Sequence, residues 1–114
     1  EIAIIGINSN DSTNYPEDSF DAMKQTAKEK GFGFDYLVDE TQEIAKKYGA
    51  MCTPDPFLFN NQKQLVFHGR IDNAMKPDDI VTEKTMINNI QKLLSGEKIE
   101  KDFDPSIGCS IKWK

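Results

Sequence analysis

Two thiols and one imidazole hold most of the chemistry available to this sequence: Cys52, Cys109 and His68. A cysteine thiol can exchange with disulfides, bind a metal or simply pack as a small apolar group. Two cysteines so far apart do not make a secreted disulfide framework, and a lone histidine leaves no zinc-ligand set, so neither a metal nor another cofactor is expected.

Each candidate also has a plainer reading. Cys52 in Met51-Cys52-Thr53-Pro54-Asp55 could be a resolving or sensing thiol or a small core residue. Cys109 follows Gly108 in a polar tail, where it could dock and pair with Cys52 or simply be a packed or exposed thiol. His68 alternates with Val66 and Arg70 on an edge strand, which predicts a solvated side chain rather than a catalytic base. Asp55 and Asp72 border the same end of the sheet and could bind a partner, yet turn chemistry accounts for both. Met23, Met51, Met75 and Met86 form no stripe and read as core or gap fillers.

The elements that would position these groups follow from periodicity. Ile2-Ala3-Ile4-Ile5-Gly6-Ile7 is too short for a helix and too uniformly apolar for a half-exposed strand, so it predicts a buried strand of a parallel sheet. Asn14-Tyr15-Pro16-Glu17 resembles a capped helix start; Phe20, Met23 and Ala27 share a face, and Gly31 ends the helix. Phe34 to Val38 is a second strand, and Asp39-Glu40-Thr41-Gln42 resembles a capping box for a short helix stopping at Gly49. Pro56 to Phe59 and Leu65 to His68 flank a polar turn and predict an antiparallel hairpin. Thr82, Met86, Ile87, Ile90, Leu93 and Leu94 follow a helical period that ends before Gly96. Strands alternating with helices, then a hairpin and a helix, predict an α/β fold with a mixed sheet and helices on its faces.

A length of 114 residues fits one domain, 1–114, with 97–114 as a C-terminal tail. The net charge of -5, with signs interspersed, argues against a nucleic-acid or anionic-membrane surface, and no apolar run is long enough to span a bilayer. The chain starts without methionine in an apolar run, which predicts a natural N-terminus further upstream. A cytoplasmic setting is expected.

The segment Tyr48-Gly49-Ala50-Met51-Cys52-Thr53-Pro54-Asp55-Pro56-Phe57-Leu58-Phe59 is similar to the cis-proline segment of thioredoxin-fold proteins. With Ile5-Gly6-Ile7-Asn8-Ser9-Asn10 and Leu65 to Asp72, the chain resembles the redoxin group, the alkyl hydroperoxide reductase and thiol-specific antioxidant family. Tyr15 to Ser19, Cys52 to Asp55 and Pro105 to Trp113 match a peroxiredoxin-like branch of it. The resemblance implies a thioredoxin-like fold, an antioxidant or disulfide oxidoreductase activity, a cis Thr53–Pro54 peptide forming a wall beside the redox site, and accessory thiols at Cys52 and Cys109. A thiol reductant or a peroxide would be the partner.

The same resemblance places the reactive cysteine at the start of a helix, after a strand that precedes the Ile2 strand, because exposed N–H groups and the helix dipole stabilise a thiolate. Neither Cys52 nor Cys109 has that context. The expectation is therefore a redoxin domain lacking its N-terminal strand–helix unit and inactive alone; a non-catalytic binding or assembly module on the same fold is the alternative. A sheet without its central strand invites pairing with another chain, so a homo-oligomer is expected.

Overall fold

Two short parallel strands, β1 (Ile5–Asn8) and β2 (Asp35–Val38), pair with Ile5 opposite Asp35 and Asn8 opposite Val38. This is a computed structural model, which describes residues 2–114. Contacts divide the chain into two units, the first running to Ala50 and including Ile111–Lys114, the second being Met51–Ser110. No helix among the described residues is long and apolar enough to cross a membrane.

In the first unit the crossover between β1 and β2 holds helix α1 (Phe20–Lys30), as a parallel pair requires. The expected start at Asn14–Glu17 is corrected: Pro16–Asp18 makes a single 3₁₀ turn, and α1 is capped by Ser19, whose Oγ accepts the Ala22 N–H at 3.2 Å. Ser19 prevails because its hydroxyl satisfies a first-turn donor, whereas Tyr15, at the head of the turn, offers no side-chain cap. Met23 is buried but Phe20 is exposed, so the apolar face is narrower than the spacing predicts.

Helix α2 (Glu43–Tyr48) is capped from a distance by Asp39. Its carboxylate accepts the N–H of Ala45 at 2.9 Å and of Ile44 at 3.3 Å, and the Ser9 hydroxyl at 2.7 Å. The reciprocal capping box does not form. Gln42 instead turns its side chain to the Ser9 and Lys112 carbonyls, at 2.8 and 3.0 Å, and accepts the Lys114 N–H at 3.1 Å. Burial pushes the Asp39 carboxyl upward, but the Ala45 N–H, the Ser9 hydroxyl and further N–H donors outweigh it and hold it below the usual range.

Met23, Ala45 and Ile111 are the buried apolar residues of this unit. The first strand is shorter than predicted and is not buried: Ile4 and Ile5 are 61% and 60% exposed. The prediction of burial from an apolar run assumed cover on both faces, and the two-stranded β1–β2 sheet does not provide it.

In the second unit, β3 (Phe57–Phe59) and β4 (Leu65–Gly69) form the predicted antiparallel hairpin, with Phe57 opposite His68 and a bulge after Leu58. Asn60 closes the turn, its Oδ1 accepting the N–H groups of Gln62 and Gln64. Leu58 and Phe67 are buried. Helix α3 (Thr85–Leu94) follows.

The segment expected as a polar tail is instead structured. Phe103–Asp104 forms β5, parallel to β4, and Gly69 is required there because a Cβ would collide with the Asp104 backbone. A two-residue strand carries too little sequence to show a period. The sheet order is β3-β4-β5.

Candidate functional site

The Thr53–Pro54 loop sits between α2 and β3, and its geometry is fixed by Asp55. The Met51 N–H donates to Asp55 Oδ2 at 2.9 Å, closing the loop on itself. The Thr53–Pro54 peptide is cis. Asp55 Oδ1 accepts two further bonds, from His68 Nε2 and from Ser106 Oγ, both at 2.8 Å. The Asp55 side chain is 3% exposed and that of His68 14%.

His68 is thus not the solvated residue that alternation predicted. It lies in the hairpin position opposite Phe57, its ring stacked on the Phe57 ring at 4.0 Å, and its proton on Nε2 faces a carboxylate. Ser106 does not touch His68 in any way that would make it a nucleophile: both groups donate to one carboxylate oxygen, so neither activates the other. The cluster positions the loop. Asp72 behaves as turn chemistry predicts, accepting the Ala74 N–H at 2.9 Å.

Cys52, Thr53, Pro54 and Cys109 come together here. Thr53 and Cys109 form an antiparallel bridge, with the Thr53 N–H donating to the Cys109 carbonyl at 2.8 Å and the Cys109 N–H returning to the Thr53 carbonyl at 3.1 Å. Gly108 permits this approach, since a Cβ there would collide with the Thr53 carbonyl oxygen and lie 3.3 Å from Pro54 Cδ. Both cysteines are free thiols; Cys52 is half-buried and Cys109 exposed. The Cys52 thiol donates to the Pro54 carbonyl at 3.6 Å. Burial, and then the Asp55 charge, push the Cys52 thiol above its ordinary value, the opposite of what a nucleophile needs. Beside the loop is a cleft of about 180 Å³ lined by Pro54, Pro56, Arg70, Ile71, Asp72, Ala74, Ser106 and Ile107.

Sequence reasoning missed the Asp55–His68–Ser106 cluster, and its only sequence signal was that Asp55 and Ser106 both fall inside the motifs that carry the family resemblance. Of the methionines, Met23 is core, but Met51 and Met75 are 60% and 72% exposed and fill no gap. Among the described residues no group of His, Cys, Asp and Glu side chains converges as a metal site.

Residues 1–68 match the AhpC/TSA family. Two solved structures are similar over 98% of this chain, each with a TM-score of 0.90: an uncharacterized conserved protein from Geobacillus kaustophilus, 45% identical, and a hypothetical protein from Sinorhizobium meliloti, 40% identical. The chain spans 60% and 62% of the length of those two proteins. No curated protein matches it at a significant level.

Proposed function

The chain belongs to the AhpC/TSA family, and on that premise we propose that it is part of a thiol-dependent redox protein, an antioxidant peroxidase or disulfide oxidoreductase. In this reading the Thr53–Pro54 loop is the wall against which a thiol partner is aligned, Cys52 and Cys109 are accessory thiols, and the reacting thiolate comes from outside these residues. The whole protein's oxidant is a peroxide or a disulfide and its reductant is a thiol. A reducing, cytoplasmic setting suits two unpaired thiols.

One observation carries the reading: neither thiol is placed to be a nucleophile. The helices start at Phe20, Glu43 and Thr85, so no cysteine opens a helix, and Cys52 is pushed away from the thiolate form by burial and by Asp55. Following ultraviolet thiolate absorbance against pH in Cys109→Ser tests this. Cys52 should ionise above the ordinary thiol value; ionisation below neutral pH would overturn the assignment.

The same observation favours, as a second reading, a binding module without turnover on the same fold. The readings part on whether addition of a redox-active thiol partner produces turnover. Self-association is also part of the proposal, since Ile5, Ile7, Leu37 and Val38 stand exposed on the two-stranded sheet. Sedimentation should give a mass that rises with concentration, and a constant monomer mass would remove that element.

A further inference from the structure

The buried residues of helix α3 are polar: Thr85 and Asn89. With Asn88 and Lys92 they follow the i, i+3, i+4, i+7 spacing of one helix face, while the apolar Ile87 and Leu94 stand exposed. That polar face lines a cleft of about 210 Å³ in the second unit, together with Phe67 of β4, Asp104 of β5 and the segment leading into β5.

Most polar groups around the cleft have partners. Arg70 donates to Glu83 at 3.1 Å and to Thr85 at 3.3 Å, and it lies 3.3 Å from Asp104 Oδ2, which Lys101 reaches at 3.5 Å. Three groups differ. Asn89 is 8% exposed, and among the described residues its side-chain amide has no hydrogen-bond partner. Every described side-chain nitrogen or oxygen that is sealed from solvent does have one, so the Asn89 amide must open into the cleft it lines. Lys92 and Glu100 carry opposite charges on the same lining, yet neither forms an ion pair with the other or with any described residue. A buried amide without a partner lowers stability, and a helix that needed only to pack would carry an apolar residue there.

We propose that this cleft binds a small zwitterion of the α-amino-acid class, its carboxylate toward Lys92, its ammonium toward Glu100 and a polar side chain against the Asn89 amide. A bare anion would meet Glu83, Glu100 and Asp104, and a bare cation would meet Lys92 and Lys101; a molecule with both charges is matched on both sides. The Asn89 amide offers an acceptor and two donor hydrogens, the complement of a second carboxamide. A cavity of about 150 Å³ holds benzene, so this one takes about eight or nine heavy atoms. Neither cysteine lines the cleft, and the proposal does not depend on the redox reading.

L-Asparagine is the probe, titrated into the isotope-labelled chain with the Asn89 side-chain NH₂ resonance as reporter. That resonance should shift saturably. Succinamate, which lacks the ammonium, and 3-aminopropanamide, which lacks the carboxylate, should each bind about tenfold more weakly, the scale of one lost charge-assisted contact. Lys92→Gln should erase the discrimination against 3-aminopropanamide, and Glu100→Gln that against succinamate; neither substitution touches a buried residue. Asn89→Leu, close to isosteric, should abolish binding while raising the denaturant midpoint of the ligand-free chain, which separates loss of the site from loss of the fold. No saturable shift up to about 50 mM probe, equal binding of the three compounds by wild type, or discrimination unchanged in Lys92→Gln and Glu100→Gln would overturn the proposal.

Discussion

Two buried carboxylates, one in each unit, do opposite jobs. Asp39, 6% exposed, spends its oxygens mainly on the first N–H groups of the helix that follows it, with Ser9 as its one distant partner. Asp55 takes one N–H from its own loop and gives its other oxygen to His68 and Ser106, which the sequence holds far apart. The first carboxylate builds an element; the second fastens finished elements together. A local capping site is replaceable at modest cost because water can take over part of its work at a helix end, whereas a junction between the hairpin, the loop and the segment carrying Ser106 leaves several polar groups stranded at once.

The comparison predicts unequal losses. Asp55→Ala should lower stability by about 3 kcal/mol, measured as a shift in denaturant midpoint at unchanged slope, because His68, Ser106 and the Met51 N–H all lose an acceptor. Asp39→Ala should cost about 1–2 kcal/mol, the scale of a lost helix cap. If the second loss equals or exceeds the first, the contrast between the two carboxylates is wrong.

A smaller effect should appear in acid. The folded Asp39 carboxyl lies below its ordinary value of 3.8, so its contribution is fully present above that value and is lost as pH falls through the lower folded value. Asp11, held low chiefly by the Asn14 side chain with burial opposing, has the same sign. Asp39→Asn should therefore flatten the acid limb of the stability curve, and an unchanged limb would assign acid loss to other groups. The smallest change is expected for Ser9→Ala, about 0.5–1 kcal/mol by thermal or denaturant melting, since Asp39 keeps its two backbone donors.

What was legible in the sequence follows the same division. The Asp39 helix, the hairpin around Asn60 and the α3 period are written in residues close together, and local patterns found each of them: a capping sequence and Gly49 for the first, apolar runs around a polar turn for the second, a helical period for the third. The capping details were not legible, because Gln42 turns from Asp39 to Ser9 and to Lys112 and Lys114, partners no local pattern indicates. The motifs behind the family resemblance did point to the site: Cys52 to Asp55 and Pro105 to Cys109 meet through the Thr53–Cys109 bridge and the Ser106–Asp55 bond. Their contact was invisible because backbone pairing depends on register rather than residue type. His68 was misjudged for a related reason: alternation sets the face on which a side chain lies, but the partner on that face, Asp55, comes from the loop before the neighbouring strand.

The proposed function makes the Cys52–Asp55 loop and the segment carrying Cys109 accessory to a reacting thiolate supplied from elsewhere, and a turnover assay decides it. Hydrogen peroxide and a small disulfide are offered to the 114-residue chain with a thioredoxin-type reductant, for wild type, Cys52→Ser and Cys109→Ser. Consumption should be no faster than with the reductant alone in all three. Robust turnover in wild type that disappears in either variant would show that these residues hold an active site of their own, and would contradict the proposed function.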